Sequence, residues 1–222
     1  MHEAFLKLSQ LFQNVLVVCL VVCLVEAQRI SDEDRPERTI YIGAVETDWD
    51  YAPEGNLLGP DADEYTDLYL SKSSDPLKIG KVYKKALLWE FTDETFTIRK
   101  PKAPWMGLLG PILQGEVGDI LNIVFYNMAS HPLSIHPHGV RYRKIHEGAL
   151  YDDNTTDSQK MDDRVQPGAK HEYRWLMNEH DAPTGNDPDC LTWMYHSHRH
   201  GETELHAGLL GPLLVCRKGR QS

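Results

Sequence analysis

Apolar and polar positions alternate in short runs along this chain, rich in β-branched and aromatic residues and cut off by Gly, Pro, Asn and Asp. Thr39-Ile-Tyr-Ile-Gly-Ala-Val45 reads as a first strand, with Trp49 and Tyr51 following as core aromatics. Further strands are predicted over Val82 to Phe91, Thr95 to Ile98, Gly118 to Tyr126, His171 to Leu176, Leu191 to His198 and Gly208 to Cys216. Residues 52–76 read as a long surface loop, and Ala103 to Pro111 as a turn-rich apolar connection. No segment sustains a helical period. Alternation at a period of two, punctuated by turn residues, is the pattern of an all-β sandwich or barrel. The two Leu-Leu-Gly-Pro runs, at Leu108 and Leu209, are too short an echo to indicate duplication.

Composition narrows the class. With 222 residues and 41% hydrophobic content the chain can build a real core. A net charge of −10 argues against a general nucleic-acid binder, which needs a basic surface, and suits an extracellular protein that holds cations. Val15 to Val25 is an unbroken apolar run, long enough for the core of a signal peptide and short for a bilayer span. Val25-Glu-Ala27 then places cleavage after Ala27; an uncleaved signal anchor is the alternative. Cleavage leaves a secreted domain over 28–222 with a charge of about −9, in which no later segment is apolar enough to cross a membrane. Cys19 and Cys23 leave with the leader. Cys190 and Cys216 remain, and an even pair in a secreted chain reads as one disulfide, with two free thiols as the alternative. Asn154-Thr-Thr156 is the sole N-glycosylation sequon and lies in a polar loop.

The chemistry concentrates in His136-Pro-His138-Gly139 and Tyr195-His196-Ser-His198. Residues i and i+2 of a strand share a face, so each pair aims two imidazoles the same way. One such pair arises readily by chance. Two pairs, both in β-prone sequence, point to a shared metal, and imidazole suits copper, zinc and iron. No Gly-x-Ser-x-Gly, phosphate loop or free Cys–His dyad competes with them.

Beyond the histidines, the carrying stretches are Ala103-Pro-Trp-Met-Gly-Leu-Leu-Gly-Pro111, Gly115-Glu-Val-Gly-Asp119, His146-Glu-Gly-Ala-Leu-Tyr151, Asp153-Asn-Thr-Thr-Asp157, Asp162-Asp163, Val165-Gln-Pro-Gly168 and Gly208-Leu-Leu-Gly-Pro212. In this order, from about Tyr41 to Cys216, the chain resembles the first plastocyanin-like (A-type cupredoxin) domain of the ceruloplasmin and hephaestin family of multicopper ferroxidases. Coagulation factors V and VIII share this domain type. The resemblance implies a cupredoxin-like Greek-key β-sandwich or barrel. It also implies that His136, His138, His196 and His198 supply half of a trinuclear copper cluster, His136 to the type 2 copper and the others to the type 3 pair. Calcium would be held by the backbone oxygen of Lys144 with Gln159, Asp162 and Asp163, hard oxygen ligands of the kind it prefers; a solvated acidic loop is the plain alternative. Cys190 and Cys216 match a family disulfide, and Asn154 a glycosylated position.

The departures limit what the chain does alone. A type 1 copper needs a cysteine thiolate, and the only mature cysteines are the expected disulfide pair. The family's C-terminal His-Cys-His segment is also lacking, so a one-domain product is expected: a fragment, a short isoform or a partial gene model. Further cupredoxin domains would complete the cluster, with ferrous iron and dioxygen as substrates. After His198 the family's Ile-Asp-Ala-Pro-Lys-Asp is replaced by Arg199-His-Gly-Glu-Thr-Glu204. His131, His146, His180, His200 and His206 read as non-ligands. Two other functions stay open. One is a non-catalytic calcium- and protein-binding A domain like that of the clotting cofactors, which Met128-Ala-Ser-His-Pro132 resembles; the other is a simple zinc or copper binder.

Overall fold

The computed structural model describes residues 35–53 and 69–220, together with residue 17. The rest of the leader 1–27, with its cleavage point, Cys19 and Cys23, and residues 54–68 of the surface loop lie outside the described residues. Glu37–Ser222 forms a compact unit distinct from Met1–Pro36.

Two four-stranded sheets make up the domain. The first runs β2 (Val82–Phe91), β1 (Glu37–Asp50), β4 (Ile120–Asn127), β6 (Lys170–Leu176). The second runs β3 (Leu113–Glu116), β8 (Leu210–Cys216), β7 (Cys190–His196), β5 (His136–Pro137). Neighbours are antiparallel except β1/β4 and β3/β8, which are parallel. Alternation does the sorting. Ile123 and Phe125 of β4, Tyr173 and Trp175 of β6, and Leu213 and Val215 of β8 turn inward and meet in one core. Burying each large apolar side chain contributes about 1.5–3 kcal/mol. The result is a cupredoxin-like β-sandwich.

Cys190 and Cys216 stand directly opposite each other in the β7/β8 register and are disulfide-bonded. Both cysteines of the described domain are therefore closed to copper.

Two expectations need correction, and two elements were not predicted. Thr95 to Ile98 is a turn, because Asp93 caps Thr95 and Phe96 takes a φ of 53°, which drives its ring into a cluster with Tyr41, Phe91 and Tyr126. Tyr51 is 41% exposed and packs edge-on against Tyr83 at the surface, and Trp49 is only half-buried. Leu113–Glu116, between the turn-rich connection at Ala103 to Pro111 and the strand predicted from Gly118, forms the edge strand β3, which the pattern did not predict. A short helix, α1 (Gly201–His206), stands where the family motif is replaced.

Candidate metal centre

The two histidine pairs meet because β5 and β7 are in register: His136 lies across from His196, and Pro137 from Tyr195. The backbone N–H of His138 donates to Met194 O at 2.9 Å. Ring centroids stand 5.0 Å apart for His136–His138, 5.1 Å for His136–His198, 5.2 Å for His138–His196 and 5.4 Å for His196–His198. All four predicted ligands thus converge. His136 and His196 are buried, His198 is half-buried and His138 is exposed, so the cluster opens outward at one rim. Among the described residues no three His, Cys, Asp or Glu side chains close into a finished metal cage. The four rings form a face.

Backbone carbonyls fix the ring orientations. His136 Nδ1 lies 2.7 Å from Glu147 O and His196 Nδ1 lies 2.9 Å from Ser197 O. A carbonyl only accepts, so Nδ1 carries the proton in both rings, leaving each Nε2 with a bare lone pair. A ligating histidine is held in this way, by a hydrogen bond from the nitrogen that does not bind metal. His138 Nε2 approaches His196 Nε2 at 3.0 Å and must donate to it. A metal entering there replaces that proton. Burial, and then the neighbouring imidazoles, push His136 down to about 4, against the raising effect of Glu147 O. His138 and His196 are lowered for the same first reason. Neutral, nitrogen-presenting imidazoles are what a transition metal requires, so the donor set fits copper.

Two serines hold the pairs together, and pattern reading passed over both. Ser134 N–H donates to Ser197 Oγ at 3.2 Å, and His198 N–H donates to Ser134 Oγ at 3.1 Å. Both serines are essentially fully buried. Their one sequence signal is position: Ser197 sits between two predicted ligands and Ser134 two residues before another.

Gly139 closes the first pair at φ 71°, lying flat on Trp193, where a Cβ would come within 2.2 Å of the indole.

Behind His136 lies the acidic loop. Asp162 and Asp163 are 0% exposed. Asp162 Oδ2 accepts from Gly148 N–H at 2.7 Å, while Asp162 Oδ1 and both oxygens of Asp163 have no hydrogen-bond donor. Burial, and then the Asp162 charge, push the Asp163 carboxyl up to about 6, opposed by Lys144. The Lys144 ammonium reaches Glu147 at 2.9 Å, Asp153 at 3.3 Å and Asp163 at 3.8 Å. Gln159 stands apart: it is exposed, and its Oε1 accepts from Thr156 N–H and Oγ1–H in a capping box. Tyr173 ties loop and metal face together, donating to Asp162 O at 2.7 Å and accepting from Ile135 N–H at 3.2 Å. Asn154 is exposed, at a φ of 60°.

Residues 106–220 match the family described as Multicopper oxidase. Ferroxidase HEPHL1 of Homo sapiens is 49% identical over 186 residues, 82% of this chain and 16% of that protein. Ceruloplasmin of Homo sapiens is 44% identical over 185 residues, 82% of this chain and 17% of that protein. Coagulation factor VIII of Homo sapiens is 48% identical over 182 residues, 82% of this chain and 8% of that protein. The chain therefore spans about a sixth, or less, of these relatives. The crystal structure of a multicopper oxidase from Pseudomonas thermotolerans superposes with a TM-score of 0.50 at 19% identity, covering 85% of this chain and 32% of that one, which shows the shared fold.

Proposed function

Because the chain belongs to the multicopper oxidase family, we propose that it is a secreted copper-binding domain of a ferroxidase that oxidises ferrous iron and reduces dioxygen to water. It contributes His136, His138, His196 and His198 as half of a trinuclear site and is not competent alone. Domain 28–222 follows a signal peptide at 1–27, and Asn154 is glycosylated. The observation that carries the reading is the convergent set of four imidazoles, open at the His138 rim, two with Nδ1 committed to backbone carbonyls. Copper, when bound, supplies one-electron chemistry toward dioxygen. The protein's part is to present bare Nε2 atoms, to keep His136 and His196 away from bulk water, and to hold their protons at Nδ1. The exposed rim at His138 is where histidines of a further cupredoxin domain would complete the coordination. Among the described residues no helix is long and apolar enough to cross a membrane.

The test is metal content after copper loading of the secreted chain, measured by mass spectrometry beside the double variant His138→Ala/His196→Ala. Stoichiometric copper in the parent and its loss in the variant are expected. Equal, trace copper in both would instead favour a non-catalytic A domain, the role suggested by the likeness to factor VIII. Zinc retained in place of copper would identify a simple metal binder.

Calcium is the second cofactor of this reading, carried by the three donorless carboxylate oxygens of Asp162 and Asp163. Its ligands are the Lys144 carbonyl, Asp162 and Asp163, with Gln159 joining once it leaves its capping box. Saturating calcium at a hundred times its Kd should stabilise the fold by about 2.7 kcal/mol, roughly 5–10 °C in Tm for a domain of this size. Asp162→Asn/Asp163→Asn should abolish the response. A parent chain whose Tm ignores calcium would leave the loop as a cluster neutralised by Lys144 and Lys160.

A further inference from the structure

The open seam of the sandwich holds a second site. Between β2, the edge strand of one sheet, and the residues leading into β3, the edge strand of the other, lies a slot of about 140 Å³. It shares no residue with the histidine face or the acidic loop. Leu88, Met106, Pro111 and Ile112 give it apolar walls, and the Trp89 ring lines one side. The volume matches the cavity of about 150 Å³ known to admit one benzene ring.

Its polar groups are the informative part. Lys102 Nζ donates to Gly107 O at 2.8 Å and Leu109 O at 3.2 Å. An ammonium has three N–H bonds, so one is left over, and both partners are neutral. Lys102 sits 4.4 Å from the Trp89 ring centroid and Arg99 4.9 Å, so two cations flank the indole. Among the described residues neither has a carboxylate partner, whereas the slot's other charges, Glu90 and Lys100, neutralise each other at 2.6 Å. Burial lowers the Lys102 pKa, as expected for a cation without a counter-ion. A half-buried cation with one N–H left over beside an apolar slot calls for one ligand type: a negative acceptor on a small hydrophobic body.

We propose that this slot binds a small aromatic or short-chain monocarboxylate, its apolar body against Trp89 and Ile112 and its carboxylate on Lys102. Neutralising Lys102 restores what burial costs it, and a charge-assisted hydrogen bond is about twice as strong as a neutral one. The recognition therefore discriminates by charge as well as by shape.

Calorimetric titration of the full chain with phenylacetate, and with neutral phenylacetamide of the same shape, tests this. Phenylacetate is expected to bind with a Kd of about 1 mM or tighter, the range open to a ligand of its size. The amide should bind about tenfold more weakly, and Lys102→Met should weaken phenylacetate about tenfold. Lys102 also ties down the Gly107 and Leu109 carbonyls, so Ile112→Ala, which shortens the apolar wall and leaves Lys102 in place, serves as the second variant and should cost about fivefold. Equal binding of acid and amide, unchanged affinity in the folded variants, or no binding at about ten times the expected Kd would each overturn the assignment.

Discussion

Gly148→Ala is expected to be the most damaging single substitution near the metal face. A Cβ at this position would lie 2.1 Å from Ile135 O and 2.6 Å from Ile135 C, backbone atoms that cannot swing aside, and Gly148 holds a φ of 69° that alanine adopts at a cost. Overpacking of up to about 3 kcal/mol and the left-handed penalty of about 1 kcal/mol together predict roughly 4 kcal/mol. For a domain of this size that is a Tm lower by roughly 10 °C or more. The damage is also directed. Glu147 O holds the His136 ring, and Gly148 N–H holds Asp162. Pushing this turn outward frees both, so copper retention and calcium response should fall even in the fraction that folds. Differential scanning calorimetry with metal analysis checks both effects. A variant melting within a few degrees of the parent would show that the Ile135–Gly148 approach is looser than described.

Removal of the disulfide ranks next. Cys190 and Cys216 close a loop with a sequence separation of 26 residues, which in the chain-entropy account stabilises the fold by about 3.5 kcal/mol. Cys190→Ala/Cys216→Ala should therefore lower Tm by roughly 10 °C, and a reducing agent should do the same to the parent but not to the variant. The bridge pins the start of β7 to the end of β8, the far end of the strand from His196. Copper binding in the folded variant should be nearly unchanged, which separates this loss from that of Gly148→Ala. A variant as stable as the parent would mean that β7/β8 pairing needs no covalent support.

The convergence of the four histidines was legible in the chain because its logic is local. His-x-His on a strand dictates two rings on one face, and Cys190 and Cys216 lie in strand-like sequence that turns out to be paired. What escaped depends on the tertiary surroundings. Phe96 sits in a run that scores as strand, yet its ring is worth more inside the Tyr41–Phe91–Tyr126 cluster than on an edge. Arg199 to Glu204 looks like a charged surface stretch, yet Glu204 is 4% exposed and accepts the Arg199 N–H. Helix α1 forms around that bond, which no periodicity announces over six residues. For the acidic loop, sequence alone could not say that Asp162 and Asp163 are sealed from water while Gln159 faces it.

The pairing of His136 with His196 has one more consequence. A strand displaced by a single residue turns every side chain to the opposite face. Slipped by one, β5 would set His136 against Tyr195 or Ser197, and the two halves of the ligand set would look away from each other. The error does not produce a weaker site; it produces none. On the proposed reading copper would act as an inspector of assembly: only a chain whose sheets have closed in the right frame would present all four imidazoles to the ion.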